Sequence, residues 1–237
     1  MKDTGYKLSL AAAIILLLPL TSTAQLRGEF GFDFGMAIPQ GAFSQNTDRS
    51  GFGINGHGGV HLGRSPIFLG LDAGIHVYGN ESRRVPLSTT IPDIEARVRT
   101  TNNIAQLHGM IRLQPVDGNV RPYLDGLYGF KYLYTHTSLE SLHNEYEAVI
   151  GSTNQDDYTL SYGFGAGLDV QLWRGPMGED QRVGRVYLTM GARYLRSGEA
   201  EYLREGDIRR ENGKVYFETT RSRVDTIQPR LGVTIAF

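Results

Sequence analysis

The chain has no cysteine among its 237 residues. That excludes a disulfide framework, a thiolate metal site, a cysteine nucleophile and a lipid-bearing N-terminal cysteine. It has a single tryptophan, and its mean hydropathy of -0.28 is too polar for a bundle of membrane helices. The longest apolar run, Leu8 to Leu20, is thirteen residues, too short to span a bilayer as a helix. Neither sign of charge is in excess: a net charge of -1 and a pI of about 6.6 give no electrostatic ground for a nucleic-acid partner. What the chain does have is 30 glycines, 13 tyrosines and 10 phenylalanines, a balance that disfavours helices and favours strands.

The apolar run follows Lys2 and Lys7, contains Pro19, and ends in Ser22 and Ala24, small residues at the third and first positions before Gln25. This order is that of a secretory signal, so the expected division is a signal peptide over 1–24 and one exported domain over 25–237. No linker or composition shift marks a second domain.

From Phe30 the sequence alternates. Phe30, Phe32, Phe34, Met36 and Ile38 occupy even positions against Glu29, Gly31, Asp33, Gly35 and Ala37. A helix would scatter these phenylalanines, whereas a strand gathers them on one face. Seven further segments repeat the pattern, among them Tyr158 to Leu172 and Ile227 to Phe237. Eight such segments predict an all-β protein, a closed antiparallel eight-stranded transmembrane β-barrel, because closure removes the edges an exported sheet would expose. Short connections (63–66, 114–122, 173–184) alternate with long ones (39–51, 79–103, 135–157, 195–224), as periplasmic turns alternate with extracellular loops. Ten strands remain open if a long loop adds a membrane hairpin.

The same alternation fits a soluble ligand-binding barrel with its apolar face inward, so the polar face has to decide. That face is rich in glycine, and its charges balance: Asp33, Asp72, Asp125 and Asp169 against Arg112, Lys131, Arg193 and Arg230. Four against four suits a narrow lumen plugged by ion pairs between neighbouring strands, since an unpaired buried ion costs several kcal/mol. The apolar faces carry no lysine or arginine, as lipid contact requires. Tyr128, Tyr132, Tyr134, Tyr158, Tyr162 and Tyr194 fall toward strand ends, where an aromatic girdle meets headgroups.

The signal peptide, the eight segments, the start Phe30-Gly-Phe-Asp-Phe-Gly, the stretch Arg121-Pro-Tyr-Leu-Asp-Gly and the end Leu231-Gly-Val-Thr-Ile-Ala-Phe237 resemble the small outer-membrane β-barrel proteins of Gram-negative bacteria, the OmpA/OmpX-like group. The resemblance covers essentially the whole exported chain. It implies a bacterial outer-membrane location, with Leu231, Val233, Ile235 and Phe237 as the signal read by the barrel-assembly machinery. It further implies outer-membrane lipids, lipopolysaccharide and a surface ligand or envelope protein as partners. Members include adhesins, envelope-stabilising proteins, narrow channels and a few lipid A enzymes, so location is implied more firmly than activity.

Chemical motifs are few. Gly51, Gly53 and Gly56 spell G-x-G-x-x-G within an alternating strand, where a dinucleotide site would need a helix to follow. His57, His61, His76 and His108 share the polar face; His57 and His61 are four residues apart on a strand, about 13 Å, too far to share an ion. With a tight turn at Arg64 and Ser65, His57 comes opposite Asp72. Neither a metal nor another cofactor is expected. His136 and Ser138, with Glu140, Glu145 or Glu147 nearby, resemble the His-x-Ser arrangement of outer-membrane lipid A deacylases, departing from it at Leu139. A serine activated by that histidine would hydrolyse an acyl ester. A polar strand end is the alternative. Loop arginines, Arg83, Arg84, Arg97 and Arg99 and then Arg204, Arg209, Arg210, Arg221 and Arg223, suit lipopolysaccharide phosphates or a solvated surface. Glu211-Asn-Gly-Lys214 reads as a hairpin turn whose flanks prolong the last two strands. A structural or surface-interaction role is the reading these residues favour, with a lipid A ester hydrolase and a narrow channel or small-solute transporter as alternatives.

Overall fold

The computed structural model describes residues 27–237 apart from 48, 87–94, 142–147, 178–181, 205–206 and 212–213. The expected signal peptide, Glu145 and Glu147 lie outside the described residues, as does the side chain of Glu140. Eight long strands close into an antiparallel barrel: β1 (Gly28–Gln40), β2 (Gly51–His61), β3 (Ile67–Pro86), β4 (Glu95–Leu113), β5 (Val120–Ser141), β6 (Ala148–Met177), β7 (Arg182–Ser197) and β12 (Asp225–Ala236). Each pairs with its sequence neighbour in the barrel, and β12 closes the sheet against β1. The seam extends to the chain end, where Gly28 and Phe237 exchange backbone hydrogen bonds of 3.0 Å.

The registers fix the shape. Stepping across the sheet from Gly28 through Val60, Leu69, Ile111, Gly126, Phe164, Tyr194 and Ile227 returns to β1 at Ile38, ten residues further along. For eight strands that stagger corresponds to a tilt of roughly 40° from the barrel axis. Short turns link the strands at the end that holds Gly28 and Phe237. The β2–β3 turn uses Gly63 at φ 62, a conformation glycine adopts without strain, and it sets His57 opposite Asp72.

Alternation decides which face is which. Phe30, Phe32, Phe34, Leu124, Phe164, Leu231 and their row-mates are exposed on the outside, while the intervening aspartates, arginines and histidines are buried inside. The lipocalin-like arrangement, with the apolar face turned inward, is not adopted.

At the opposite end the strands run further than their hydrophobic pattern does. β3 and β4 remain paired to Pro86 and Glu95, and β5 and β6 as far as Glu140 and Ala148. β7 likewise runs to Ser197, so Leu195 and Arg196 belong to a strand. Bulges at Thr135/His136, Leu139/Glu140 and Gln171/Trp173 lie toward the strand ends, where barrels commonly carry them, and one at Val77/Gly79 falls within β3. The last loop forms four short strands: β8 (Glu199–Tyr202), β9 (Ile208–Glu211), β10 (Lys214–Phe217) and β11 (Thr220–Arg223). β9 pairs β10, with Glu211 opposite Lys214, and β8 pairs β11. They stay outside the barrel sheet, which holds eight strands rather than ten. After β1, Gly41 (φ 59) turns the chain into a single helical turn, α1 (Ala42–Asn46), which buries Phe43.

Candidate functional site

Inward positions fill the barrel in levels, which the registers order from the turn end to the loop end. At the lowest level Arg121 on β5 reaches across the lumen to Glu29 on β1 through both carboxylate oxygens, at 2.6 and 3.1 Å. It also donates to its cross-strand partner Asp169 at 2.9 Å. Gln114 adds a bond to Asp169 (2.6 Å), and His61 meets Glu29 at 2.9 Å. The Arg121 guanidinium lies 3.8 Å from the Tyr187 ring centroid. The guanidinium and both carboxylates thus gain charge-assisted bonds that offset their removal from water.

The second level is a continuous ladder of alternating charge. Arg112 donates to Asp125 at 2.6 and 3.0 Å, a bidentate pair between directly opposed residues. Arg193 donates to the same Asp125 at 2.9 Å and places Nη1 2.6 Å from Asp72. Arg230 donates to Asp72 at 3.2 Å and grips Asp33 through two nitrogens, the first at 2.6 Å. Asn55 ends the ladder with a 2.9 Å bond to Asp33. Three arginines and three aspartates carry no net charge. The pairs are not confined to neighbouring strands: Arg193 and Asp125 are separated by β6, and Arg193 and Arg230 both cross the lumen to β3. Glycine makes the first of these reaches possible. Gly165 stands between Asp125 and Arg193 in the register, and a Cβ there would sit 2.5 Å from Arg193 Cγ.

Above the ladder Gln106 and Gln228 exchange amide bonds of 3.1 and 2.9 Å across the barrel. Lys131, fully buried, stands apart from the ion pairs and donates to the Val224 carbonyl (2.8 Å) and to Thr226 Oγ1 (3.0 Å). Val224 accepts from Ser197 Oγ as well, at 2.8 Å. These bonds pin the chain where it passes from β11 to β12. There the β8–β11 ribbon folds over the mouth. Phe43, Tyr78, Ile104, Leu133, Ala200, Tyr202 and Val224 pack there into a buried apolar cluster, with Phe43 edge-on to Tyr78 and Tyr202 at 5.6 and 5.3 Å. The loop end of the lumen therefore carries an apolar cap.

Sequence reasoning placed Glu29 on the polar face of β1 but counted neither it nor Arg121 in the ion network, and it did not register the cap. Glu29 and Arg121 are in phase with Asp33 and Asp125 on their own strands, and extending the β5 alternation by one step before Tyr123 would have found Arg121. The cap residues lie on six separate segments and give no local signal. The tyrosines, expected as a girdle, do not ring the barrel: those facing outward among the described residues all lie on β5, β6 and β7.

His136 and Ser138 lie two residues apart on β5 and are half-buried, and among the described residues no hydrogen bond joins their side chains. His57, His61, His76 and His108 are all buried in the lumen, and no cluster able to hold a metal occurs among the described residues. Leu231, Val233 and Phe237 are exposed on the outer face of β12, and Ile235 is half-exposed in the same row.

No family model matches the chain, and no curated protein matches it. Solved structures align over most of the chain. Neisserial surface protein A aligns with 12% identity over 89% of this chain and 95% of its own, with a TM-score of 0.37. Ail, the attachment invasion locus protein of Yersinia pestis, aligns with 12% identity over 90% of this chain and 97% of its own, with a TM-score of 0.34. Ail in complex with the heparin analogue sucrose octasulfate gives 12% identity, 90% and 99% coverage, and a TM-score of 0.35.

Proposed function

We propose that the protein is an integral barrel of the bacterial outer membrane with a structural or surface-interaction role, its lumen closed to solute. The observation that carries this reading is the inverted distribution of polarity. Exposed Phe34, Leu124 and Phe164 face outward, whereas Arg112, Asp125, Arg193 and Asp72 are buried within. In water that arrangement would expose a continuous apolar belt, far beyond the few hundred Å² a soluble monomer tolerates; against acyl chains it is the stable one. The ladder and cap support a plug over a channel. The export signal at 1–24 and the outward row Leu231, Val233, Ile235 and Phe237 fit delivery to the outer membrane and recognition by the barrel-assembly machinery. Lipopolysaccharide and a surface ligand or envelope protein are the partners this location offers. His136 and Ser138 enter the reading as a polar strand end, with no catalytic role.

The test is cell fractionation combined with gel migration of unheated and boiled protein. Recovery in the outer membrane with faster migration before boiling is the expected result. Recovery in a soluble fraction would overturn the proposal.

A further inference from the structure

Tyrosines that served only to seat the barrel at an interface would be spread around it. Here the six outward ones, Tyr128, Tyr132, Tyr134, Tyr158, Tyr162 and Tyr194, form one contiguous patch on three adjacent strands, and the other five barrel strands present none among the described residues. The patch is ordered by register. Tyr128, Tyr162 and Arg196 form one cross-strand row, and Tyr132 and Tyr158 form another four residues nearer the loops. Tyr132 stacks on Tyr134 at 5.4 Å and donates its hydroxyl to Asp156 at 3.1 Å. Tyr158 is 75% exposed and Tyr128 65%, so neither ring is covered by the protein itself.

Arg196 is the unexpected member. It continues the outward row of Ala192 and Tyr194, it is exposed, and its side chain has no hydrogen bond or ion pair among the described residues. A guanidinium in that position faces the lipid side below the upper tyrosines, where a charge is tolerated near the interface and increasingly costly toward the bilayer centre. It is stabilised there by an anion approaching from the membrane. Arginine matches phosphate through two parallel N–H bonds, and tyrosine offers both a ring for the apolar face of a sugar and a hydroxyl for its oxygens.

We infer that Arg196, Tyr128 and Tyr162 form a docking site for the phosphate-bearing sugar headgroup of an acylated glycolipid in the outward-facing leaflet. This rests on the membrane reading above and deepens it by naming one face and one ligand class. A second copy of the chain fits less well: a two-fold contact centred on this row would set Arg196 against its own copy, like charge against like.

The test uses the full chain folded into phosphatidylcholine vesicles, with the temperature at which the fast-migrating gel form is lost as the readout. Lipopolysaccharide added to the vesicles should raise that temperature for the unmodified protein. For Arg196→Gln, half of the rise should require about tenfold more lipopolysaccharide, the loss of one well-made phosphate contact. Tyr162→Ala should weaken the response in the same sense. Arg174→Gln, an equal charge change at the turn end, should respond as the unmodified protein does. Fast migration of each variant before heating reports that it is folded. Equal responses from Arg196→Gln and the unmodified protein, or no response from either, would overturn the site. The same rise from the phosphorylated disaccharide without acyl chains would overturn its assignment to a membrane lipid. A protein that never shows the fast-migrating form in vesicles would instead count against the membrane reading itself.

Discussion

One oxygen of Asp72 receives both Arg193 and Arg230, so this carboxylate joins the two halves of the ladder. Asp72→Asn would leave two guanidiniums facing each other without the charge between them. Its expected cost is about 3–5 kcal/mol, the range for breaking a buried pair from one side. Urea titration of the folded barrel in detergent, followed by the loss of fast gel migration, measures it. Asp117 offers the contrast. It lies in the exposed β4–β5 turn, with Arg27 at 3.0 Å and Arg185 at 2.5 Å. The hydrogen bond from Arg27, joined by that from Arg185, holds its carboxyl below the ordinary carboxylate range. A lowered folded-state pKa contributes stability above the unfolded pKa, and that contribution disappears as pH falls through the folded value. Asp117→Asn should therefore cost under about 1 kcal/mol at neutral pH, screened by solvent, and the difference from the unmodified protein should vanish in strong acid. At this scale the sequence made plain which residues face inward, because the period of two is local. It left the partners hidden: Arg193 reaches Asp125 over Gly165 only once the registers of β5 on β6 and of β6 on β7 bring the three into one row.

Among the strands, two glycines on β5 separate structural need from tolerance. A Cβ on Gly129 would lie 2.0 Å from the Leu107 carbonyl oxygen, a collision with backbone that no rotamer relieves. On Gly126 the nearest atom would be 3.9 Å away. Gly129→Ala should lower the folded yield and melting temperature sharply, whereas Gly126→Ala should leave both nearly unchanged; gel migration across a temperature series distinguishes them. The element ends were less legible than their centres. The pattern of β7 could be followed to Tyr194, but the strand continues through Leu195, which is buried, and Arg196, which is not. A polar residue on an outward position looks like the start of a loop when only apolar rows are counted. The pairing of β9 with β10 was legible because Glu211-Asn-Gly-Lys214 carries the residues that two-residue hairpins demand.

For the molecule as a whole, the lumen is closed twice, by charge at its middle and by packing at its loop end. Planar bilayers containing the protein should show no ion conductance. Tyr202→Ala, which opens the cap alone, should remain silent, while Tyr202→Ala combined with Arg193→Gln and Asp125→Asn should conduct. Conductance from the unmodified protein would refute the plug. The orientation of the barrel could be read from the glycine and balanced ions of the polar face. The cap could not, because Phe43, Ile104, Leu133 and Tyr202 meet only after four distant loop ends have converged.

The seam between β1 and β12 has a consequence for how the protein comes into being. Because the opening strand is completed only by the closing one, no fragment that lacks the final dozen residues can satisfy its own borders. Every nascent copy therefore holds two unpaired rims until translation has finished, and must be escorted through that interval without meeting the rims of its neighbours.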